Sequence, residues 1–458
     1  MSARRISVAF AFVFLARLAR ADGWDGLHSS VCGIGNLDGD GTPDFVLASR
    51  DSGAAEAVWA FSGKTGKLLW GLQTDRAGDG FGASLACAGD VNGDGIDDVL
   101  IGAPGRRLVE SQREIVRVRG GRAYLVSGRD GAILRVFAAR TDEEAPGASV
   151  AGSDDLDSDG VPDLLVGCPG TTGVGARAYS GRTGEVLRQF GANEKRTSRE
   201  LGVAVCEIGD FDGDHCPDVA VGDTEARPSS PDRPSGIAAA TGCVRVFSGR
   251  TGESLRTIWS PRNPRIGDPF GWVVERVADF DRDGIRDVCM VAVDGVVRVL
   301  SAKTLTDILA VPWKGSVLVS FGSSVASIRS AAANRPPDLV IAANESASDF
   351  FDRGYVLRIP IDETTERTSV YEADANGVDV ACPGDLDGDG EGDLVLSIVG
   401  PRGFGRGGCE GQQLMVRSSH TLKPLFTRYG DELRRLPVSI IAAPSELMEI
   451  PHETSAGK

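Results

Sequence analysis

The sequence has 458 residues, 41% of them hydrophobic and 25% charged, and a formal net charge of −16. That length and apolar content support a large folded core and exclude a disordered chain. The acidic balance argues against a nucleic-acid partner, and no run approaches the roughly 20 apolar residues that a transmembrane helix requires.

The N-terminus reads as a secretory signal over residues 1–21. Arg4 and Arg5 precede the apolar stretch Ile6 to Ala16, and Ala19-Arg20-Ala21 offers a small-residue cleavage site. Arg17 and Arg20 are unusual there, which leaves a short uncleaved anchor as the alternative. Export would make calcium available at the millimolar level suited to extracellular modules.

Beyond that segment, one aspartate-rich turn recurs six times with the skeleton Asx-x-Asx-x-Asp-x-x-x-Asp. The side chains at positions 1, 3, 5 and 9 are Asn36, Asp38, Asp40 and Asp44; then Asp90, Asn92, Asp94 and Asp98; then Asp155, Asp157, Asp159 and Asp163. They continue as Asp210, Asp212, Asp214 and Asp218; Asp279, Asp281, Asp283 and Asp287; and Asp385, Asp387, Asp389 and Asp393. Alternate oxygen donors on a tight turn converge on one centre, the requirement of a hard divalent cation such as calcium. The backbone carbonyl of position 7 would complete each set, at Thr42, Ile96, Val161, Cys216, Ile285 and Glu391. Position 6 is glycine, which permits the bend, except in the fourth turn, where His215 puts the geometry in question. About six structural calcium ions are therefore expected. Twenty-two carboxylates occupy the ligand positions, so six ions would cancel most of the net charge.

An EF-hand is excluded. Position 12 is Ile101, Val166, Val221, Met290 or Leu396 where that motif needs glutamate, and the runs that follow, such as Val99 to Pro104 and Leu164 to Pro169, read as buried strands. Each unit opens nine residues before its turn with a lead-in such as Phe81-Gly82 or Phe270-Gly271. Each ends in a hairpin signal such as Ser62-Gly63-Lys64-Thr65-Gly66 or Ser127-Gly128-Arg129-Asp130-Gly131. A further unit without the acidic turn fits between the fifth and sixth: Phe321-Gly322, then Pro337-Asp338 and an apolar run. No metal is expected there. Seven units of four strands each are the signature of an all-β, seven-bladed β-propeller. The blades fall at about 27–72, 81–137, 146–190, 201–259, 270–311, 321–371 and 376–427. Residues 428–458 form a C-terminal tail in which Pro437 to Ala443 could be one extra strand. Every unit owns all four of its strands, so ring closure is left open.

The Phe-Gly lead-in, the Asp turn and Gly102-Ala103-Pro104 resemble the FG-GAP repeat of integrin α-subunit N-terminal propellers and of many bacterial secreted proteins. The resemblance covers nearly all of the chain after the signal. It implies that the turn joins the first two strands of a blade and binds calcium, and that the opposite face meets the partner. Long segments on that face are Gly105 to Gly120, Thr224 to Gly242, Asn344 to Gly354 and Arg402 to Gly411. The function expected is a secreted or cell-surface binding and adhesion module for an unknown protein or glycan. The alternatives are an extracellular lyase or glycosidase on a propeller frame, which would need an acid/base pair, and a piece of a larger adhesion assembly.

The rest of the sequence offers no catalytic motif. The four histidines are scattered, and neither a zinc-type cluster nor a nucleophile elbow is present. Trp59, Trp70, Trp259 and Trp313 lie in or beside hairpin strands and read as core. The nine cysteines read mainly as small buried apolar residues, with Cys216 and Cys243 the first pair to test for a disulfide.

Overall fold

The computed structural model describes residues 31–48, 56–74, 79–105, 107–109, 116–118, 120–141, 144–192, 198–226, 242–259, 270–292, 296–312, 320–329, 335–346, 352–361, 368–375, 377–399, 412–433 and 435–441. The signal segment, Trp313 and most of the four long loops lie outside them.

The second strand of each unit sets the architecture. Asp44–Ala48, Asp98–Ala103, Asp163–Gly167 and Asp218–Asp223 are buried at every position. Such runs must be covered on both faces, so each lies inside its sheet with a neighbouring sheet packed on either side. Seven four-stranded antiparallel sheets result, each made of consecutive strands of the meander. Blade one comprises Val31–Ile34, Asp44–Ala48, Ala57–Phe61 and Leu68–Thr74. In blade two, Ser84–Gly89, Asp98–Ala103, Arg122–Val126 and Ile133–Ala138 follow the same order, with a small extra hairpin, Arg107–Val109 against Val116–Val118, between the second and third strands. The seventh blade runs from Gly377–Gly384 to Pro424–Arg428.

Each first strand touches the first strand of the next blade all the way round, so these strands ring the axis. Fourth strands are outermost, as the exposed pattern of Ser254–Trp259 shows. The core is divided accordingly. Seven buried apolar clusters occur among the described residues, and each lies between two adjacent blades. One of them joins Phe45, Trp59 and Phe61 of blade one to Val395, Leu414 and Val416 of blade seven. An open array of seven sheets would have six such seams; the seventh closes the ring. The protein is a seven-bladed β-propeller.

The glycines of the lead-in have a steric cause. Gly147 has φ of 87°, and a Cβ on Gly102 of the preceding blade would lie 2.1 Å from the Gly147 carbonyl oxygen. The lead-in of one blade thus rests directly on the end of the second strand of the blade before it, and only glycine on both sides allows that approach.

Arginines lace the outer rim. Four residues after the second hairpin glycine, Arg135 donates to the carbonyls of Arg182 and Thr183, Arg188 to that of Arg250 and Arg256 to that of Thr304, in each case on the next blade. Trp70 takes the same position in blade one and donates its indole N–H to the Gly128 carbonyl at 2.7 Å. Arg428 closes the series by donating to the Gly66 carbonyl of blade one at 2.6 Å.

The closure left open by the sequence has a visible component. After the last blade the chain makes one short helix, Gly430–Leu433, and then the strand Ser439–Ile441, which pairs in parallel with Leu68–Thr74. Blade one therefore has five strands. The eight cysteines within the described residues are all free thiols, Cys216 and Cys243 included, so the pair singled out for a disulfide is not joined.

Candidate metal-binding turns

The six acidic turns share one hydrogen-bond plan. Position 9 is its anchor. Asp163 is fully buried, and its Oδ2 accepts the N–H of Leu156 at 2.7 Å while its Oδ1 accepts that of Gly181 at 2.9 Å. One carboxylate thereby ties the turn to the third-to-fourth-strand hairpin of the same blade. Asp44, Asp98, Asp218, Asp287 and Asp393 do the same, reaching Gly63, Gly128, Gly249, Ala302 and Ser419. Burial pushes each of these six carboxyls up to about 6, against the opposing pull of those N–H groups.

Position 1 organises the bend. Asp155 accepts the N–H groups of Asp159 and Gly160, and Asp90, Asp210, Asp279 and Asp385 repeat the pattern. Position 5 makes an Asx-turn: Asp159 Oδ1 accepts the Val161 N–H, with counterparts at Thr42, Ile96, Cys216, Ile285 and Glu391. The fourth turn keeps this geometry despite its histidine. His215 adopts φ of 67° and donates its N–H to Asp210 Oδ2 at 2.9 Å, as Gly95 does to Asp90 at 2.8 Å.

Four turns bring three carboxylates together. Oxygens of Asp155, Asp157 and Asp163 lie within 4.8 Å of one another, as do those of Asp210, Asp212 and Asp218, of Asp279, Asp281 and Asp287, and of Asp385, Asp387 and Asp393. These are positions 1, 3 and 9. Like charges at about 4 Å repel by roughly 1 kcal/mol in water and roughly 4 kcal/mol at an effective dielectric of 20. A divalent cation would convert that repulsion into attraction, so the donor set fits calcium. In the first two turns an asparagine replaces one member. Asn36 Oδ1 is buried with no hydrogen-bond partner, an acceptor at position 1 for which the protein supplies no donor. Asn92 instead turns its amide N–H toward Asp94 and Asp98.

Position 5 lies outside these groups. In blades two, three and four an arginine after the Ser-Gly pair reaches back to it, a contact the sequence reading missed, whereas the hairpins of blades five and seven carry Ser301-Ala302-Lys303 and Ser418-Ser419-His420 instead. Arg182 donates to Asp159 Oδ2 at 2.9 Å and to the Asp159 carbonyl at 2.7 Å; Arg129 and Arg250 clamp Asp94 and Asp214 in the same way. Arg129 holds the Asp94 carboxyl below its usual range. Lys64 contacts only the Asp40 carbonyl. The signal was legible as a basic residue two places after the hairpin serine in the first four blades.

Blade six replaces the acidic turn with guanidinium groups. Asp338 is buried, and its Oδ2 accepts Arg358 Nε at 2.6 Å and Arg335 Nη2 at 3.1 Å. Both arginines also bind Glu391 in the turn of blade seven, and Arg358 donates to the Ser419 carbonyl there. The Glu391 side chain is thus committed to blade six, leaving its backbone as the part available to a cation.

Comparison with known proteins agrees with this construction. The FG-GAP repeat family matches residues 81–126, and the FG-GAP-like repeat family matches residues 36–101. The chain is an integrin-α-like FG-GAP propeller. It is similar to integrin alpha-4 of Xenopus laevis, with 28% identity over 179 residues, 36% of this chain and 16% of that protein. Integrin alpha-7 of Mus musculus is 32% identical over 157 residues, covering 33% and 13% of the two chains. Phosphatidylinositol-glycan-specific phospholipase D of Bos taurus is 30% identical over 214 residues, covering 42% and 22%. The matched segments span less than a quarter of each of these relatives. No helix among the described residues is long and apolar enough to cross a membrane.

Proposed function

We propose that this propeller is an exported binding or adhesion module whose blades are held by structural calcium. The observation that carries the reading is the repeated convergence of positions 1, 3 and 9 at one place on the blade in four separate turns. Blades three, four, five and seven would each hold an ion through those side chains and the carbonyl of Val161, Cys216, Ile285 or Glu391. Blades one and two, with Asn36 and Asn92 in their sets, would bind more weakly because ligand charge tunes affinity. Blade six, with its arginines, needs no ion.

Calcium here is architectural. Each ion would neutralise a turn whose carboxylates otherwise repel, and would leave the position-9 aspartate to hold turn and hairpin together. The ligand of the module is proposed to be a protein or glycan, bound on the face opposite the turns, the face to which the sequence assigns its long connecting segments. The integrin α resemblance supports a cell-surface or secreted role. A catalytic role for the propeller itself finds no comparable support: the buried aspartates of the turns are engaged by backbone N–H groups.

The test has two parts. Titration of the chelator-treated protein with calcium, followed by calorimetry, should show four tighter and two weaker sites. Screening on an array of glycans and matrix proteins with calcium present should give retention without turnover. Absence of calcium binding would remove the metal reading, and turnover of a bound glycan would replace the module with an enzyme.

A further inference from the structure

We propose that residues 430–441 are a clasp that closes the ring, fastening the end of blade seven to the outer edge of blade one. Among the described residues no strand is exchanged between the first and last blades, since each four-stranded meander is built from its own consecutive strands. The fastening is supplied from beyond the meander instead.

Three observations converge on it. The first is burial. Leu433 is only 2% exposed and belongs to the apolar seam between blades one and seven, where Leu436 and Val438 also pack, beside Trp59, Leu68 and Phe426. A short helix that merely ended the chain would have no cause to bury its leucine in that seam. The second is pairing. Ser439, Ile440 and Ile441 lie opposite Leu72, Gln73 and Thr74, so the segment adds in parallel to an edge that every other blade leaves as its last strand among the described residues. The third is the seat itself. Gly71 lies in the middle of that edge strand, and a Cβ there would come within 2.5 Å of the Pro437 carbonyl oxygen and 2.8 Å of the Trp59 ring. A residue on blade one is therefore shaped to the backbone of the clasp.

The connection leading in is also fixed. Arg428, the last residue of blade seven, donates to the Gly66 carbonyl of the blade-one hairpin. One turn later the N–H groups of Glu432 and Leu433 donate to the Tyr429 carbonyl, and that of Leu436 to the Leu433 carbonyl, directing the chain across the seam. The clasp works by burying leucine in a joint that the two blades already share and by covering the exposed hydrogen-bonding edge beside it.

The experiment is hydrogen exchange on the full chain and on two variants, with calcium present: deletion of residues 430–458, and Leu433→Asp, which changes a single clasp side chain. Both should raise amide exchange at least tenfold in Leu68–Thr74 and in Gln412–Arg428 while leaving blades three and four unchanged. If the deletion fails to fold, Leu433→Asp alone carries the comparison. Unchanged exchange in blades one and seven would overturn the proposal. A dimer in which the segment protects the edge of a second copy would overturn it as well.

Discussion

Substituting the position-9 anchor separates its two roles, as hydrogen-bond acceptor and as cation ligand. Asp163→Asn keeps the shape and one acceptor oxygen, so one of the two bonds to Leu156 and Gly181 survives. Losing the other leaves a buried N–H facing an amide donor and costs about 1–3 kcal/mol. In chelator this loss is offset, because the change also removes a buried charge whose carboxyl is pushed up to about 6. The net effect without metal is expected to stay within about 2 kcal/mol. With 1 mM calcium and a site of Kd near 0.1 mM, the wild type gains about 1.4 kcal/mol by linkage, and the variant forfeits most of it. Urea unfolding in calcium and in chelator, for both proteins, measures the four stabilities. Asp163→Ala is the control: it leaves two buried N–H groups unpaired and should cost about 2–6 kcal/mol in either buffer. An equal loss for Asp163→Asn with and without calcium would refute the reasoning and leave the aspartate as a hydrogen-bond acceptor alone.

Three further outcomes are expected. In chelator, lowering the pH from 7.5 to 5.5 should stabilise the protein through its six anchors: their folded values of about 6 lie above the ordinary 3.8. The stability so contributed is complete below 3.8 and lost as pH rises through 6; with calcium the slope should reverse, and thermal melts at both pH values show either sign. His215→Gly should stabilise by about 1 kcal/mol, because a left-handed conformation is relieved while the N–H to Asp210 is kept; an unchanged unfolding midpoint would remove strain from the account. Arg358→Met should destabilise by about 3–5 kcal/mol, leaving Asp338 buried without its main partner. That loss should be the same in calcium and in chelator, as paired urea titrations would show.

The blades were legible because two local signals coincide in each unit. Alternate acidic residues with glycine or histidine at the bend identify the turn, and an apolar run such as Leu164 to Val166 immediately after it identifies a doubly covered strand. Both depend on residues close in sequence. Most of the features missed depend on residues far apart in sequence. Arg188 is one more arginine on a half-buried outer strand until the Arg250 carbonyl of the next blade is placed before it. Arg335 precedes Asp338 by only three residues, but Arg358 reaches it only once strands are paired, and Glu391 comes from a different sheet. The pairing of Ser439–Ile441 with blade one was beyond reach for the same reason, because a three-residue parallel strand has no period and its partner lies more than three hundred residues away.

The guanidinium pair of blade six has a consequence for the ring as a whole. An ion held by carboxylates is present only to the extent that its concentration and affinity allow, whereas an arginine is a permanent counter-ion at fixed effective concentration. As free calcium falls, the six acidic turns should soften at rates set by their own ligand charge, while the joint between blades six and seven keeps its stiffness. Loss of the ion would therefore leave a lopsided wheel with one sector still rigid.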